Sequence, residues 1–424
     1  MLDLKLIRSD PERVKTALAR RGAAEQVDEL LALDARRREL LPEVESAQAE
    51  RKTLSKQIGE AKQAGGDAAE LMAAVQSLKD QIETGKAELA KVEADLDRVA
   101  VSLPNLPDPD APEGMTEEDA VTLREVGVPP SFDFEPRDHL EIAGELGLID
   151  MEAGARLSGS RFAYLKGDLV LLELALVRFA IDVAREQGHE PVVPPVLVRE
   201  EALVGTGFLP GDRDQIYEIP KDELFLTGTS EVALAAMHAG QILEPDSLPI
   251  RYSGFSTCFR REAGAAGRDT RGVFRVHQFD KVEMFSFVEP SESAAEHERL
   301  LAIEESILGA LEIPYRVVNV AAGDLGAPAA KKYDCEAWIP SQKRYRELTS
   351  CSNTTDYQAR RLGCRYRPAD GEAPQVVHTL NGTAVAVGRT IIALIENRQE
   401  SNGGFSLPNI LEKYGSPERI LPRP

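Results

Sequence analysis

Two heptad runs of similar length, parted by a pair of glycines, constrain the fold of this 424-residue chain more than any other feature. Leu30, Leu33, Arg37, Leu40, Val44, Ala47, Arg51, Leu54, Ile58 and Ala61 step by three and four without a break. After Gly65-Gly66-Asp67 the stepping resumes at Leu71, Val75, Leu78, Ile82, Gly85, Leu89, Val92, Leu96 and Val99. Side chains at that period share one side of a helix and press it onto a second helix. A short glycine turn between the runs makes them antiparallel neighbours. The pattern therefore predicts an α-helical coiled-coil hairpin over about residues 27–100, each arm roughly 50 Å long at ~1.5 Å per residue. Pro42 falls on the outward side of the first run and either kinks that helix or opens its long segment at N1. Residues 27–100 hold 11 Lys/Arg against 16 Asp/Glu. Charge does not mark the arm as a nucleic-acid binder, and heptads alone fit a dimerisation or spacer coil as well.

The rest of the chain has a different texture. Met1–Gly22 reads as a small helical start, with Ser9 or Asp10 as N-cap and Pro11 at N1. Residues 103–119, opening LPNLPDPDAPEGMT, are rich in Pro, Asp and Gly and read as a linker. Residues 1–102 and 120–424 are the predicted domains on either side of it. In the second, Leu169–Gln187 and Glu292–Leu311 read as helices. Short β-like runs fall at 192–198, 215–219, 224–227, 273–279, 282–288 and 315–320. There is no βαβ alternation and no GxGxxG or GxxxxGK[ST], which argues against a Rossmann or P-loop nucleotide site. The expected fold class is α+β, a helical hairpin followed by a mostly antiparallel sheet flanked by helices. The formal charge of -21 is the wrong sign for a generic nucleic-acid coat. The four cysteines have no metal-ligand spacing and read as scattered reduced thiols. No signal-peptide core and no run of about 18 apolar residues appears, so no membrane span is expected.

Chemistry concentrates in residues 258–289, CFRREAGAAGRDTRGVFRVHQFDKVEMFSFVE. Two extended segments around a loop carrying Arg268 and Arg271 suggest a hairpin. Residues two apart on a strand share a face, so Arg260 and Glu262 are expected to project together, as are Arg275, His277 and Phe279. A cation for phosphate, an acceptor for an amine and an aromatic face for a base are what a nucleoside triphosphate requires. Taken singly, an Arg-x-Glu pair is an ordinary hairpin salt bridge. Three further strings accompany it. Leu226–Glu231 (LTGTSE) reads as a helix start, with Thr229 or Ser230 capping and Glu231 in the first turn. Arg346–Asn353 (RELTSCSN) reads in isolation as a strand end and turn. Thr379–Arg389 (TLNGTAVAVGR) runs into an expected helix at Thr390–Asn397.

Together these strings resemble the class II aminoacyl-tRNA synthetases, and in detail the seryl-tRNA synthetase family. Residues 258–289 match motif 2. Gly188–Val198 (GHEPVVPPVLV) resembles motif 1, with Pro195 at its proline, and Gly205–Pro210 (GTGFLP) matches a loop of the seryl enzymes. Residues 379–389 resemble motif 3. With the arm, the resemblance covers nearly the whole chain. It implies a class II antiparallel sheet, a cytoplasmic homodimer, and charging of tRNA(Ser), and of tRNA(Sec) where one exists, with serine.

The resemblance also implies residue roles. Arg260 and Arg389 are the catalytic cations, on the serine carboxylate and α-phosphate and on the γ-phosphate. Thr229 and Glu231 hold the serine ammonium, Glu283 its hydroxyl, and Asn381 and Thr383 line the serine pocket. ATP is bound by Arg260, Arg261, Glu262, Arg275, Val276, Phe279, Glu347, Leu348, Thr349, Ser350 and Arg389, with Phe279 stacked on adenine. Glu347 and Ser350 hold Mg²⁺. The arm grips tRNA by backbone shape. Thr383-Ala384 departs from a common Ser-Gly, keeping the hydroxyl and adding a methyl. Two rivals remain: a ligase loading a carrier protein, whose relatives lack the long arm, and a catalytically dead homologue, which intact Arg260, Glu262, Glu283, Glu347 and Arg389 oppose.

Overall fold

The computed structural model describes residues 1–263, 272–368 and 371–422. Arg268 and Arg271 of the glycine- and arginine-rich loop lie outside them. The chain divides into two compact units, Leu2–Leu103 and, with Met1, Pro104–Pro424.

In the first unit, α1 (Leu4–Ser9) is capped by Asp3, and α2 (Pro11–Ala19) by Asp10, whose carboxylate accepts from the Arg13 amide with Pro11 at N1. The long helices are α3 (Glu25–Gln63) and α4 (Ala69–Ser102), joined through Gly65 at φ +73°. The second turn residue thus has the left-handed backbone that a glycine adopts without a Cβ clash. Pro42 lies inside α3, so its N1 alternative is not realised. The helices approach closely enough that a Cβ on Gly85 would lie 2.8 Å from Val44 Cγ2. The buried stripe departs from the heptad reading at Arg51, which is exposed, and around Asp34, which is buried while Leu33 and Arg37 stay partly exposed. The reason for the burial of Asp34 is α1. Arg8 Nε lies 2.8 Å from Asp34, and Arg37 and Arg38 also pair with it, so the carboxylate enters with its charge compensated.

In the second unit, and among the described residues, eight strands form the central sheet. They are β1 (Val121–Val126), β2 (Glu190–Val192), β3 (Ile250–Phe259), β4 (Gln278–Val288), β5 (Tyr315–Asn319), β6 (Lys331–Ile339), β7 (Arg344–Thr355) and β8 (His378–Ala386), in the order β1-β5-β6-β7-β8-β4-β3-β2. Every pairing is antiparallel except β2 with β3. Helices α5 (Asp168–Glu186), α7 (Ser293–Ala310) and α9 (Val387–Asn397) pack against this sheet. Alternation along β4 sends Val282 and Met284 into the shared core, with Leu380 and Ala384 from β8.

Several boundaries differ from the sequence reading. Residues 192–198 are not one strand: β2 ends at Val192, and pairing resumes only at Leu197–Val198. Pro194 and Pro195 supply no N–H to a ladder. Of 215–219, only Glu218–Ile219 pairs. Residues 346–353 lie wholly within the twelve-residue β7 rather than at a strand end. The stretch read as a linker packs into this unit: Asn105 is buried and donates to the Pro328 and Thr354 carbonyls at 2.9 Å. The stretch is thus a fixed path held by hydrogen bonds instead of a tether. No helix among the described residues is long and apolar enough to cross a membrane.

Candidate active site

The cleft is built on β4, β7 and β8. Along β4, Phe279, Lys281 and Glu283 share the face opposite the core residues Val282 and Met284. Strand register then sets Glu283 beside Thr383 of β8 and Gly254 of β3, and Asn381 beside Ser352 of β7. A bulge in the β4–β8 pairing leaves Ala384 without an opposite residue on β4 and turns it into the core, where it is buried. The departure from Ser-Gly therefore places Thr383 on the cleft wall and keeps the Ala384 methyl out of it.

The hairpin geometry expected around residue 260 is only partly realised. Strand β3 stops at Phe259 and β4 begins at Gln278, so Arg260, Glu262, Arg275 and His277 lie beyond the strands. Val273 and Phe274 are both buried in the core and lie outside any strand. Glu262 takes a left-handed backbone, φ +50°. Pairing continues past the strand ends, since the Arg260 amide donates to the His277 carbonyl at 3.0 Å.

The four strings still converge. One recess is lined by Arg260, Glu262, Arg275, Val276, Phe279, Glu347, Leu348, Thr349, Ser350 and Arg389. Arg260 Nε donates to the Gly228 carbonyl at 3.1 Å, and its guanidinium lies over the Phe279 ring. Arg275 donates to Glu262 at 2.6 Å. Helix α9 begins at Val387, three residues before the expected Thr390, so Arg389 sits in its first turn, where it donates to the Glu347 carbonyl at 2.9 Å. Leu348 is buried in the core and the Thr349 hydroxyl turns away to Glu304, 2.7 Å distant. Arg261 does not line the cleft; its guanidinium lies over Tyr217.

The second part of the cleft, about 550 Å³, adds Thr229, Glu231, Glu283 and Asn381 and shares Arg260, Glu262, Arg275, Lys281, Glu347, Ser350 and Thr383 with the first. Ser230 is the N-cap residue of α6 (Glu231–Ala236) but makes no side-chain cap bond, and Thr229 Oγ1 accepts from the Glu231 amide at 3.2 Å. Glu231 and Glu283 are both buried. The Glu231 carboxyl is pushed up to about 7, first by burial and then by Glu283; Gln358, Lys281 and Arg260 act against the rise. Burial likewise raises Glu283, opposed by Lys281 and Arg260. Glu347 goes the other way. Burial would raise it, but Lys332 and Arg389 hold it well below the usual carboxylate range. Among the described residues no group of three His, Cys, Asp or Glu is placed to hold a metal. The ionised Glu347 with Ser350 nearby suits a cation that takes its other oxygen ligands from substrate and water.

Two side chains that contact the candidate site residues escaped the sequence reading. Lys281 pairs with Glu283 and donates to Thr229 Oγ1 at 2.8 Å. The signal was present, because Lys281 lies two residues from both Phe279 and Glu283. Gln358, on α8 (Tyr357–Leu362), donates to Glu231 Oε1 at 2.8 Å, beside Asn381 at 3.0 Å. Nothing local marks a glutamine 127 residues from its partner.

Comparisons with known proteins place this sequence and fold beside one family. A family model described as the seryl-tRNA synthetase N-terminal domain matches residues 1–107, and one described as the tRNA synthetase class II core domain (G, H, P, S and T) matches residues 216–398. The serine–tRNA ligase of Acidothermus cellulolyticus is 50% identical over 424 residues, 100% of both chains. That of Streptomyces coelicolor is 50% identical over 99% of both. Among solved structures, seryl-tRNA synthetase from Pyrococcus horikoshii complexed with ATP superposes with a TM-score of 0.93 at 41% identity, covering 100% of each chain.

Proposed function

The chain belongs to the seryl-tRNA synthetase family of class II aminoacyl-tRNA synthetases, and from that premise we propose how its cleft performs the reaction. It is an ATP-dependent serine–tRNA ligase. In the first step a serine carboxylate oxygen bonds to the α-phosphorus of ATP. The bond from that phosphorus to its bridging oxygen breaks, and pyrophosphate leaves with the electron pair. In the second step a terminal ribose hydroxyl oxygen of tRNA bonds to the seryl carbonyl carbon, the bond from that carbon to the phosphate oxygen breaks, and AMP leaves with the electron pair while the hydroxyl proton passes to the phosphate or to water.

The observation that carries the reading is the position of Arg260. It joins a pocket of two buried carboxylates to a recess lined by further arginines. Its planar fork spans the serine carboxylate and the α-phosphate, the two groups that must meet. Glu231 holds the ammonium. Gln358 and Asn381 both donate to its Oε1, which leaves Oε2 for the substrate. Thr229 supports the ammonium, Glu283 accepts from the serine hydroxyl, and Asn381 and Thr383 bound the pocket. Phe279 stacks on adenine, Glu262 accepts from its amino group, and Val276, Leu348 and Thr349 border the nucleotide. Arg275 and Arg389 take the outer phosphates, the latter at the start of α9, where a helix favours anions. Glu347 and Ser350 would hold Mg²⁺, which supplies charge neutralisation on the triphosphate when bound. No side chain acts as nucleophile. Rate comes from alignment and from charge held ready.

Residues 1–102 serve tRNA binding and 120–424 catalysis, with tRNA(Ser) as acceptor and tRNA(Sec) as a second where the organism has one. Leu171 and Leu174 on α5, the helix that leads into the motif 1 segment, and Val193 within that segment are exposed apolar side chains and support a homodimer. The site of action is the cytoplasm. Serine-dependent ATP–pyrophosphate exchange, run beside alanine, threonine, glycine and cysteine, tests the reading. Exchange with serine alone is expected. Its absence in folded protein would favour a dead homologue, and exchange without any tRNA charging a carrier-directed ligase.

A pH dependence follows from Glu231. A carboxyl near 7 is protonated below that pH in free enzyme and cannot then pair with the ammonium. The KM for serine should rise about tenfold for each unit of pH below about 7, while kcat changes little because bound ammonium keeps Glu231 ionised. A flat KM profile down to about pH 6 would contradict this.

A further inference from the structure

We propose that Lys281 determines specificity: it makes the side-chain pocket accept a hydroxyl and refuse a second ammonium. The inference rests on the roles given above to Glu231 and Glu283. Both carboxylates face the cleft and both are buried, at 7% and 2% exposure. Serine brings one ammonium to this end of the pocket, for Glu231. Arg260 also acts on Glu283 but is committed to the serine carboxylate and α-phosphate, so without a further cation Glu283 would remain a buried and poorly compensated charge, which either takes up a proton or recruits a cation. Lys281, itself 7% exposed, is that cation. Its Nζ pairs with Glu283 Oε2 and donates to Thr229 Oγ1 at 2.8 Å, so it touches both sides of the pocket. Glu283 is then an ionised acceptor whose charge is already cancelled. A neutral hydroxyl donor completes it, whereas a positively charged side chain meets the Lys281 ammonium and gains no unpaired anion. Selectivity here comes from a repulsive element as much as from an attractive one.

The probe is 2,3-diaminopropionate, in which an amine replaces the serine hydroxyl; the two ammoniums repel and lower one pKa, so the comparison is run at about pH 6, where both carry a proton. With wild-type protein, serine should drive ATP–pyrophosphate exchange and 2,3-diaminopropionate should neither drive it nor compete. Lys281→Met should lower kcat/KM for serine and raise the ratio of kcat/KM for 2,3-diaminopropionate over serine by roughly 100-fold. Lys281→Arg, which keeps the charge, should retain the wild-type ratio. If Lys281 were only structural, Lys281→Met would weaken both substrates together, and an unchanged ratio overturns the proposal. Should Lys281→Met not fold, the wild-type competition decides: inhibition by 2,3-diaminopropionate at concentrations near the KM for serine overturns it. Absence of wild-type exchange with serine would instead remove the functional reading, and this inference with it.

Discussion

Replacing Arg260 with alanine is expected to lower serine-dependent ATP–pyrophosphate exchange by about 10³-fold or more in kcat/KM. This guanidinium belongs to both halves of the cleft, so its loss separates the serine carboxylate from the α-phosphate and also leaves developing charge unopposed. What it contributes to the fold is smaller. It makes one bond to the Gly228 carbonyl and a cation–π contact with Phe279. The contact is worth only ~1 kcal/mol. The unfolding temperature should therefore shift by a few degrees at most while exchange disappears. Arg260→Lys should recover little, because an ammonium cannot present two parallel donors to a carboxylate and a phosphate at once. Exchange within tenfold of wild type in Arg260→Ala would remove Arg260 from the centre of the mechanism.

Deleting residues 30–99 should produce the opposite division of effects. Adenylate formation, read as pyrophosphate exchange, should stay within about threefold, and tRNA charging should fall by at least ~10²-fold through loss of backbone contacts. The deletion is conservative in its geometry. Arg98 Nη2 lies 3.3 Å from Glu29, so the cut ends already lie close together and a short loop can close them. The side chains assigned to serine and ATP lie between residues 229 and 389, within the other compact unit. The acidic balance of the arm makes its role in tRNA binding a demanding case, since attraction must come from few cations. Charging at normal efficiency after the deletion would show that the arm is a spacer.

The coiled-coil hairpin was legible because a heptad repeat is a local pattern whose consequence does not depend on the rest of the chain. The identity of the cleft residues was legible because whole strings, not single residues, carried the resemblance. Strand limits were less so. The stretch 273–277 has strand composition, yet Val273 and Phe274 both turn inward, and the core they enter is formed partly by Val387, Ile391 and other residues far along the chain. The buried Asp34 depends on Arg8 of α1, a partner that no period in α3 announces.

The division follows the range of the forces. Helix periods, proline limits and the residue types suited to phosphate and ammonium are properties of short segments, and they were readable one segment at a time. Charge states and orientations were not. Glu231 and Glu347 are the same residue type, yet burial beside Glu283 raises the first and Lys332 with Arg389 lowers the second. The Lys281 pair, the Gln358 bond to Glu231 and the turning of Arg261 toward Tyr217 depend on which distant side chains arrive within a few ångströms. Electrostatic and hydrogen-bond energies act over that distance inside a low-dielectric core, and only the packed sheet brings those partners together.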